Sequence, residues 1–192
     1  VFRDPSIIIE VDQGVYAPAE DSLLALSALE VRKGERALEM GCGSGFLALH
    51  MARAGASVTA ADLDPRAVMN AERNAMLNGI PLRAVCSDMF SEVRGCYDLI
   101  VFNPPYLQGR AEDEDDLCWA GGQGGMEVTA KFLREAGKHL APGGRVLLLV
   151  SSDADPAATE DALTGWNTEV LASRTLFFEE LRVLRLSPSG TP

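Results

Sequence analysis

The sequence predicts an α/β fold: a mostly parallel, seven-stranded sheet with helices on both faces. Three observations carry that prediction. Short apolar runs alternate with helix-length segments along nearly the whole chain. The run Arg36–Met40 leads into Gly41-Cys42-Gly43-Ser44-Gly45 and then a helix, the strand–loop–helix context that gives a glycine motif meaning. The next run, Ser57–Ala61, ends at Asp62, 21 residues after Gly41. That is close to the ~20-residue spacing at which a strand-end carboxylate meets a ribose diol in open sheets.

Each element has its own signal. Ile7-Ile8-Ile9 reads as a strand within an N-terminal extension of residues 1–14. Val15-Tyr16-Ala17-Pro18-Ala19-Glu20-Asp21-Ser22 then leads into a helix whose apolar face is Leu23, Leu24, Leu26 and Leu29. Pro18 suits a first helical turn, and Glu20 and Asp21 sit where the helix dipole favours acids. Capping alone accounts for those three residues, but it leaves Tyr16 unexplained. After the glycine loop a helix runs from Phe46 to about Ala54. Asp64-Pro65 caps the next helix, which continues to Asn78 and stops at Gly79.

Strands follow at Leu82–Cys86, with Asp88 just beyond, and at Tyr97–Phe102. Gly121, Gly122, Gly124 and Gly125 form a turn into a helix from Met126 to about Leu140. Pro142-Gly143-Gly144 ends that helix, and Arg145–Val150 is a fifth, buried strand. Asp155-Pro156 opens another helix. Strands near Thr168–Ala172 and Leu181–Leu186 complete the sheet, and Ser187–Pro192 reads as a disordered tail. Neither repeat nor linker interrupts the series, so residues 1–192 are expected to form one domain.

Composition narrows the function. A chain of 192 residues that is 47% hydrophobic can build a sizeable core. Its net charge of −11, with no local Lys/Arg cluster, argues against stable nucleic-acid binding through phosphate neutralisation. No apolar run approaches a membrane span and no signal-peptide pattern opens the chain, which points to the cytoplasm. Cys42, Cys86, Cys96 and Cys118 form no CxxC pair, and only two histidines are present. No metal site is expected, and the thiols read as reduced.

The most informative stretch is Asn103-Pro104-Pro105-Tyr106, where the buried run Leu99–Phe102 stops abruptly. Each proline fixes its φ and lacks an N–H, so the sheet ladder cannot continue. The Pro104 carbonyl is left beside the Asn103 amide, and two acceptors on a rigid corner suit gripping an NH2 group. Tyr106 is placed to cover the flat group that carries it. A strand-ending turn explains the same residues, so position has to decide. Ligands of open sheets bind beyond the carboxyl ends of the strands, at the switch point beside the first strand. The glycine loop, Asp62, Asp88 and Asn103 lie at four such ends and are expected to converge there. The acidic run Arg110–Asp116 reads either as a solvated loop or as electrostatic guidance for a basic substrate.

With these residues in hand, the chain resembles the class I S-adenosylmethionine methyltransferases, which have a Rossmann-like fold. Glu39-x-Gly41-x-Gly43-x-Gly45, Asp62 and Asp88 look like their cofactor series. Asn103-Pro104-Pro105-Tyr106 is similar to the motif of enzymes that methylate planar NH2 groups, either glutamine amides or the amines of adenine and cytosine. Val15-Tyr16 with Pro18-Ala19-Glu20-Asp21-Ser22, and Trp119-Ala120-Gly121-Gly122 later, resemble the archaeal and eukaryotic HemK-like branch. That branch methylates the glutamine of the Gly-Gly-Gln motif in class I translation release factors. The likeness runs from about Tyr16 to Met126. It departs at Ser22, where threonine is expected and the hydroxyl is kept, and over the acidic 107–118 segment.

The resemblance implies S-adenosyl-L-methionine as cofactor. It implies that Glu39 holds the charged amino-acid end or orders the loop, while Gly41, Gly43 and Gly45 let the cofactor pass. Asp62 takes the ribose hydroxyls, Asp88 with Met89 takes the adenine, and Tyr16, Pro18 and Ser22 close over the methionine portion. Asn103 and Pro104 grip the substrate amide, with Tyr106 against its plane. It further implies a small zinc-binding activator docked on the edge strand Leu82–Cys86. Three other readings stand. A nucleic-acid amine methyltransferase would use the same corner, without the charge or the added domain expected of one. A dinucleotide-binding oxidoreductase would share the glycines and Asp62, but with G-x-G-x-x-G spacing and no use for the Asn-Pro-Pro-Tyr corner. A non-catalytic cofactor-binding subunit would not need the full set of active-site residues.

Overall fold

The computed structural model describes residues 1–106 and 125–190. Expectations about the acidic segment, Trp119, Cys118 and the glycines 121, 122 and 124 fall outside the described residues. In chain order the elements are α1 (Glu20–Ala28), β1 (Arg36–Met40), α2 (Phe46–Arg53), β2 (Ser57–Asp62), α3 (Pro65–Asn78), β3 (Arg83–Cys86) and β4 (Tyr97–Phe102). They continue with α4 (Glu127–Ala136), β5 (Leu140–Ser151), α5 (Pro156–Ala162), β6 (Trp166–Leu176) and β7 (Glu179–Pro188).

One seven-stranded sheet has the order β3-β2-β1-β4-β5-β7-β6. The first five strands pair in parallel, and β7 runs antiparallel to both β5 and β6. The chain leaves β1 in one direction through β2 and β3, and returns on β1's other side as β4. The reversal makes the gap beyond Met40 and Phe102, which are paired in register, the switch point.

Strand alternation splits the core into two layers. Leu99, Val101, Leu147 and Leu149 point to the face covered by Leu26 of α1, by Leu29 just beyond it, and by Leu47 and Met51 of α2. Ile100, Phe102, Val146 and Leu148 point to the other face, against Phe132 and Leu133 of α4.

Several boundaries depart from the sequence expectation. Ile7-Ile8-Ile9 belongs to no strand; the segment is a strap laid along α3. Ile8, Glu10 and Asp12 donate their backbone N–H groups to the Oδ1 atoms of Asn78, Asn74 and Asn70, at 2.8, 3.0 and 3.0 Å. The same amides return bonds to the carbonyls of Ile8 and Glu10. Four helical residues rise about 6 Å and two extended residues about 6.6 Å. Asparagines spaced by four therefore meet every second residue of the strap, and a helix substitutes for a neighbouring strand.

Pro18 precedes the N-cap, Ala19, rather than filling the first turn. Helix α4 stops at Ala136 and is followed by a 3-10 turn, Gly137–His139. Leu140 already pairs with Tyr97 of β4 and Arg145 with Leu99, so Pro142-Gly143-Gly144 lies in a bulge between them rather than at a helix end. Finally, β7 extends through Ser187 and Pro188, where a tail was expected.

Candidate active site

Beyond the switch point lies a cavity of about 310 Å³, lined by the glycine loop, the approach to α1, the end of β2 and the Asn103–Tyr106 corner. Each wall has a local cause. Gly41, Gly43 and Gly45 all have positive φ, at 64°, 50° and 79°. A Cβ on Gly45 would stand 3.0 Å from that of Ala71, so glycine is needed there for conformation and for the contact of α2 with α3.

Gly45 is the N-cap of α2 and brings no capping side chain. Glu39, from the adjacent strand, supplies the cap: its Oε2 accepts the Ala48 N–H at 2.7 Å. Burial drives the Glu39 carboxyl well above its ordinary range, against the pull of that bond and with the charge of Asp62 adding to the rise. Of the two roles expected for Glu39, the geometry favours ordering the loop.

Asp62 stands at the end of β2. Its Oδ2 accepts the Gly43 N–H at 2.9 Å, and its Oδ1 accepts the Asp64 N–H at 3.0 Å. Burial raises its carboxyl too, in opposition to these bonds. A carboxylate has about four acceptor positions, so lone pairs remain for a diol.

On the opposite wall Asp21 is buried, although the sequence offered only a dipole reason for it. Its Oδ2 accepts the Tyr16 hydroxyl at 2.8 Å and the Asn103 Nδ2 at 3.0 Å, and its Oδ1 accepts from Ser22. A carboxylate accepts only, so the nitrogen of Asn103 must face Asp21 and the oxygen must face away. That oxygen, Oδ1, is buried and has no partner among the described residues. Tyr16, unexplained in the sequence, is thereby a tie across the wall, and its backbone lies over Gly43.

Pro104 is buried and Tyr106 half-buried at the cavity edge. Burial raises the Tyr106 hydroxyl far above its ordinary value, with the charges of Asp21, Glu179 and Asp153 adding to it. It stays protonated at any working pH and can serve as a plane or a donor, not as a base.

The structure thus gathers Tyr16, Pro18, Ser22, Glu39, Gly41, Gly43, Asp62, Asn103, Pro104 and Tyr106 around one cavity, with Gly45 directly behind it. Asp88 and Met89 do not line it. Both Asp88 oxygens accept from Lys131 Nζ of α4, at 2.7 and 2.8 Å. Asp21 and Asp64 are the lining acids that the sequence reading passed over.

The match to known proteins follows this geometry. The family model for the methyltransferase small domain matches residues 7–174. The chain belongs to that methyltransferase family. Over 191 residues it is 36% identical to a Methanocaldococcus jannaschii protein described as a candidate N5-glutamine methyltransferase, covering 96% of this chain and 97% of that one. Methyltransferase HEMK2 of Mus musculus is 32% identical over 196 residues, 91% of this chain and 90% of that one. Among solved structures, Mtq2 of E. cuniculi, in its Trm112 complex, superposes with a TM-score of 0.72 at 23% identity, over 92% of this chain and 100% of that one. The fold is therefore the class I methyltransferase fold, and the methyl donor of this methyltransferase is S-adenosylmethionine.

Proposed function

We propose that this methyltransferase acts on the side-chain amide of a glutamine, that of the Gly-Gly-Gln motif in a class I translation release factor. The observation that carries the reading is the orphaned Oδ1 of Asn103. A buried acceptor without a partner is costly. Here it faces away from Asp21, on a side chain that lines the cavity together with Tyr106, and a primary amide offers the missing N–H. The relatives support the same class: the M. jannaschii protein is named for N5-glutamine methylation, and the E. cuniculi complex for methylation of the termination factor eRF1.

Bound S-adenosylmethionine supplies a methyl group already activated on a sulfonium. Asp62 takes the ribose hydroxyls, Tyr16, Pro18 and Ser22 close over the methionine end, and Glu39 holds the loop through α2. Asp88 keeps lone pairs beyond its pairing with Lys131 and, with Met89, receives the adenine amino group. An amide nitrogen is a weak nucleophile because its lone pair is delocalised. By accepting its N–H bonds, Asn103 Oδ1 and the Pro104 carbonyl fix its orientation and favour the positive charge that grows on it. Transfer would form the nitrogen–methyl bond as the donor's carbon–sulfur bond breaks, and the nitrogen would then lose one proton to solvent. Tyr106 lies against the amide plane.

A small zinc-binding activator fits the β3 edge. That strand has one neighbour in the sheet, and α3 packs beside it. Leu63, Met69, Met76 and Leu77 are exposed on this flank. The substrate class supports a location beside the translation machinery of the cytoplasm. Among the described residues no helix is long and apolar enough to cross a membrane.

The test is tandem mass spectrometry of a release factor incubated with enzyme and cofactor. A single methyl on the motif glutamine supports the reading. An unmodified glutamine together with methylated DNA or RNA replaces it with the nucleic-acid amine reading.

A further inference from the structure

Two costs coincide at the tip of the β6–β7 hairpin. Leu176 pairs with Glu179, so Phe177 and Phe178 are the two turn residues. Both are 99% exposed, the most exposed aromatics among the described residues. Phe177 also has a φ of +47°. A positive φ at the first turn position is the place that two-residue hairpins give to glycine, and a bulky side chain there is strained. Turn chemistry and solvation both oppose this pair, so a force outside the isolated chain must account for it.

The tip adjoins the rim of the cavity. Glu179 Oε1 accepts the Ser151 hydroxyl at 2.6 Å, and Glu180 exchanges backbone and side-chain bonds with Ser152. Two residues on, the Ala154 backbone flanks the site where Gly125 meets the carbonyl of Tyr106. On the hairpin's other side Arg174 pairs with Glu20, next in sequence to Asp21. Leu176 and Tyr106 pack against the same core layer. The charges of Glu179 and Asp153 are felt at the Tyr106 hydroxyl. The phenylalanines therefore stand beside the Tyr106 end of the corner. Glu20, Asp153, Glu179 and Glu180 outnumber Arg174 and Arg182 around them.

We infer that Phe177 and Phe178 form a docking knob for the folded body of the protein substrate, engaging an apolar patch bordered by basic side chains. The inference rests on the glutamine reading above and adds a second contact, remote from the reacting nitrogen. An acidic surround disfavours nucleic acid there, and exposed aromatics seated in a pocket are the usual anchors of protein interfaces.

The test is the double variant Phe177→Gly, Phe178→Ser, assayed on a whole release factor and on a short peptide bearing Gly-Gly-Gln. Glycine suits the positive φ, so the variant's Tm should match or exceed that of the parent. KM for the whole factor is expected to rise about tenfold or more with kcat little changed. The kcat/KM for the peptide should not move. Equal KM for the whole factor in parent and variant overturns the knob, as does a loss shared by factor and peptide. So does light scattering in which the parent self-associates, the variant does not, and KM is unaltered: the occupant is then a second copy. A parent enzyme that methylates neither substrate overturns the glutamine reading itself, together with the occupant assigned here.

Discussion

Asp21 Oδ2 receives the Nδ2 of Asn103 at 3.0 Å, across 82 positions of sequence. This contact decides which end of the Asn103 amide turns to Asp21 and which is left for the substrate amide proposed above. Asp21→Asn presents donor and acceptor alike, so the orientation is no longer dictated. A hydrogen bond to a charged group contributes about 1.5–3 kcal/mol, so kcat should fall at least about tenfold. Cofactor affinity in calorimetry should change by much less. A variant with parental kcat would show that Asp21 only caps α1.

Asp62→Ala removes the carboxylate assigned to the ribose and, with it, the bonds to Gly43 and Asp64. S-adenosylmethionine should bind at least about tenfold more weakly, with the circular dichroism of the fold preserved. Unchanged affinity would contradict the assignment.

Glu39 predicts a pH dependence. Its carboxyl is raised in the folded chain, so the folded state holds a proton that the unfolded state has lost. Its contribution therefore makes stability fall as pH climbs from the ordinary value of 4.5 up through the raised folded value. Glu39→Gln keeps an oxygen for the Ala48 N–H and removes the titration. Urea unfolding across this range should show a flatter profile for the variant, equal or higher at neutral pH. A steeper decline would mean that the charged form stabilises the loop.

Asn74 is fully buried and bonds Glu10 N–H, Glu10 C=O and Ser44 C=O. Asn74→Ala removes this partner from the Glu10 N–H and the Ser44 carbonyl, while Asn70 still serves the Glu10 carbonyl, at a cost of about 2–3 kcal/mol, or roughly 5–10 °C in Tm. Hydrogen exchange at Ile8, Glu10 and Asp12 should accelerate with it. Parental exchange at these amides would show that the strap is held by other contacts.

Much of this architecture was legible because local signals and tertiary context agree. Gly79 stops α3 with a left-handed φ, Asp64 caps it through the Arg66 N–H, and Tyr97–Phe102 is a strand at the expected residues. The glycine-loop wall of the cavity was legible for the same reason, since its glycines and Asp62 follow short-range rules. What escaped depends on partners far along the chain. Asp21 looks like a dipole acid until Asn103 arrives. Three isoleucines look like a strand until three asparagines of α3 take up the backbone. The Asp88–Lys131 pairing escaped for the same reason, since nothing near Asp88 in sequence announces a lysine 43 positions away.

The most direct measurement of the central claim is single-turnover methyl transfer by Asn103→Ala, with cofactor affinity measured on the same preparation. Loss of the orphaned acceptor should slow transfer to the glutamine by on the order of 10²–10³, by analogy with removing one oxyanion-hole group. Binding of S-adenosylmethionine should be nearly unchanged. Near-parental transfer would contradict the account and reduce Asn103-Pro104-Pro105-Tyr106 to a turn.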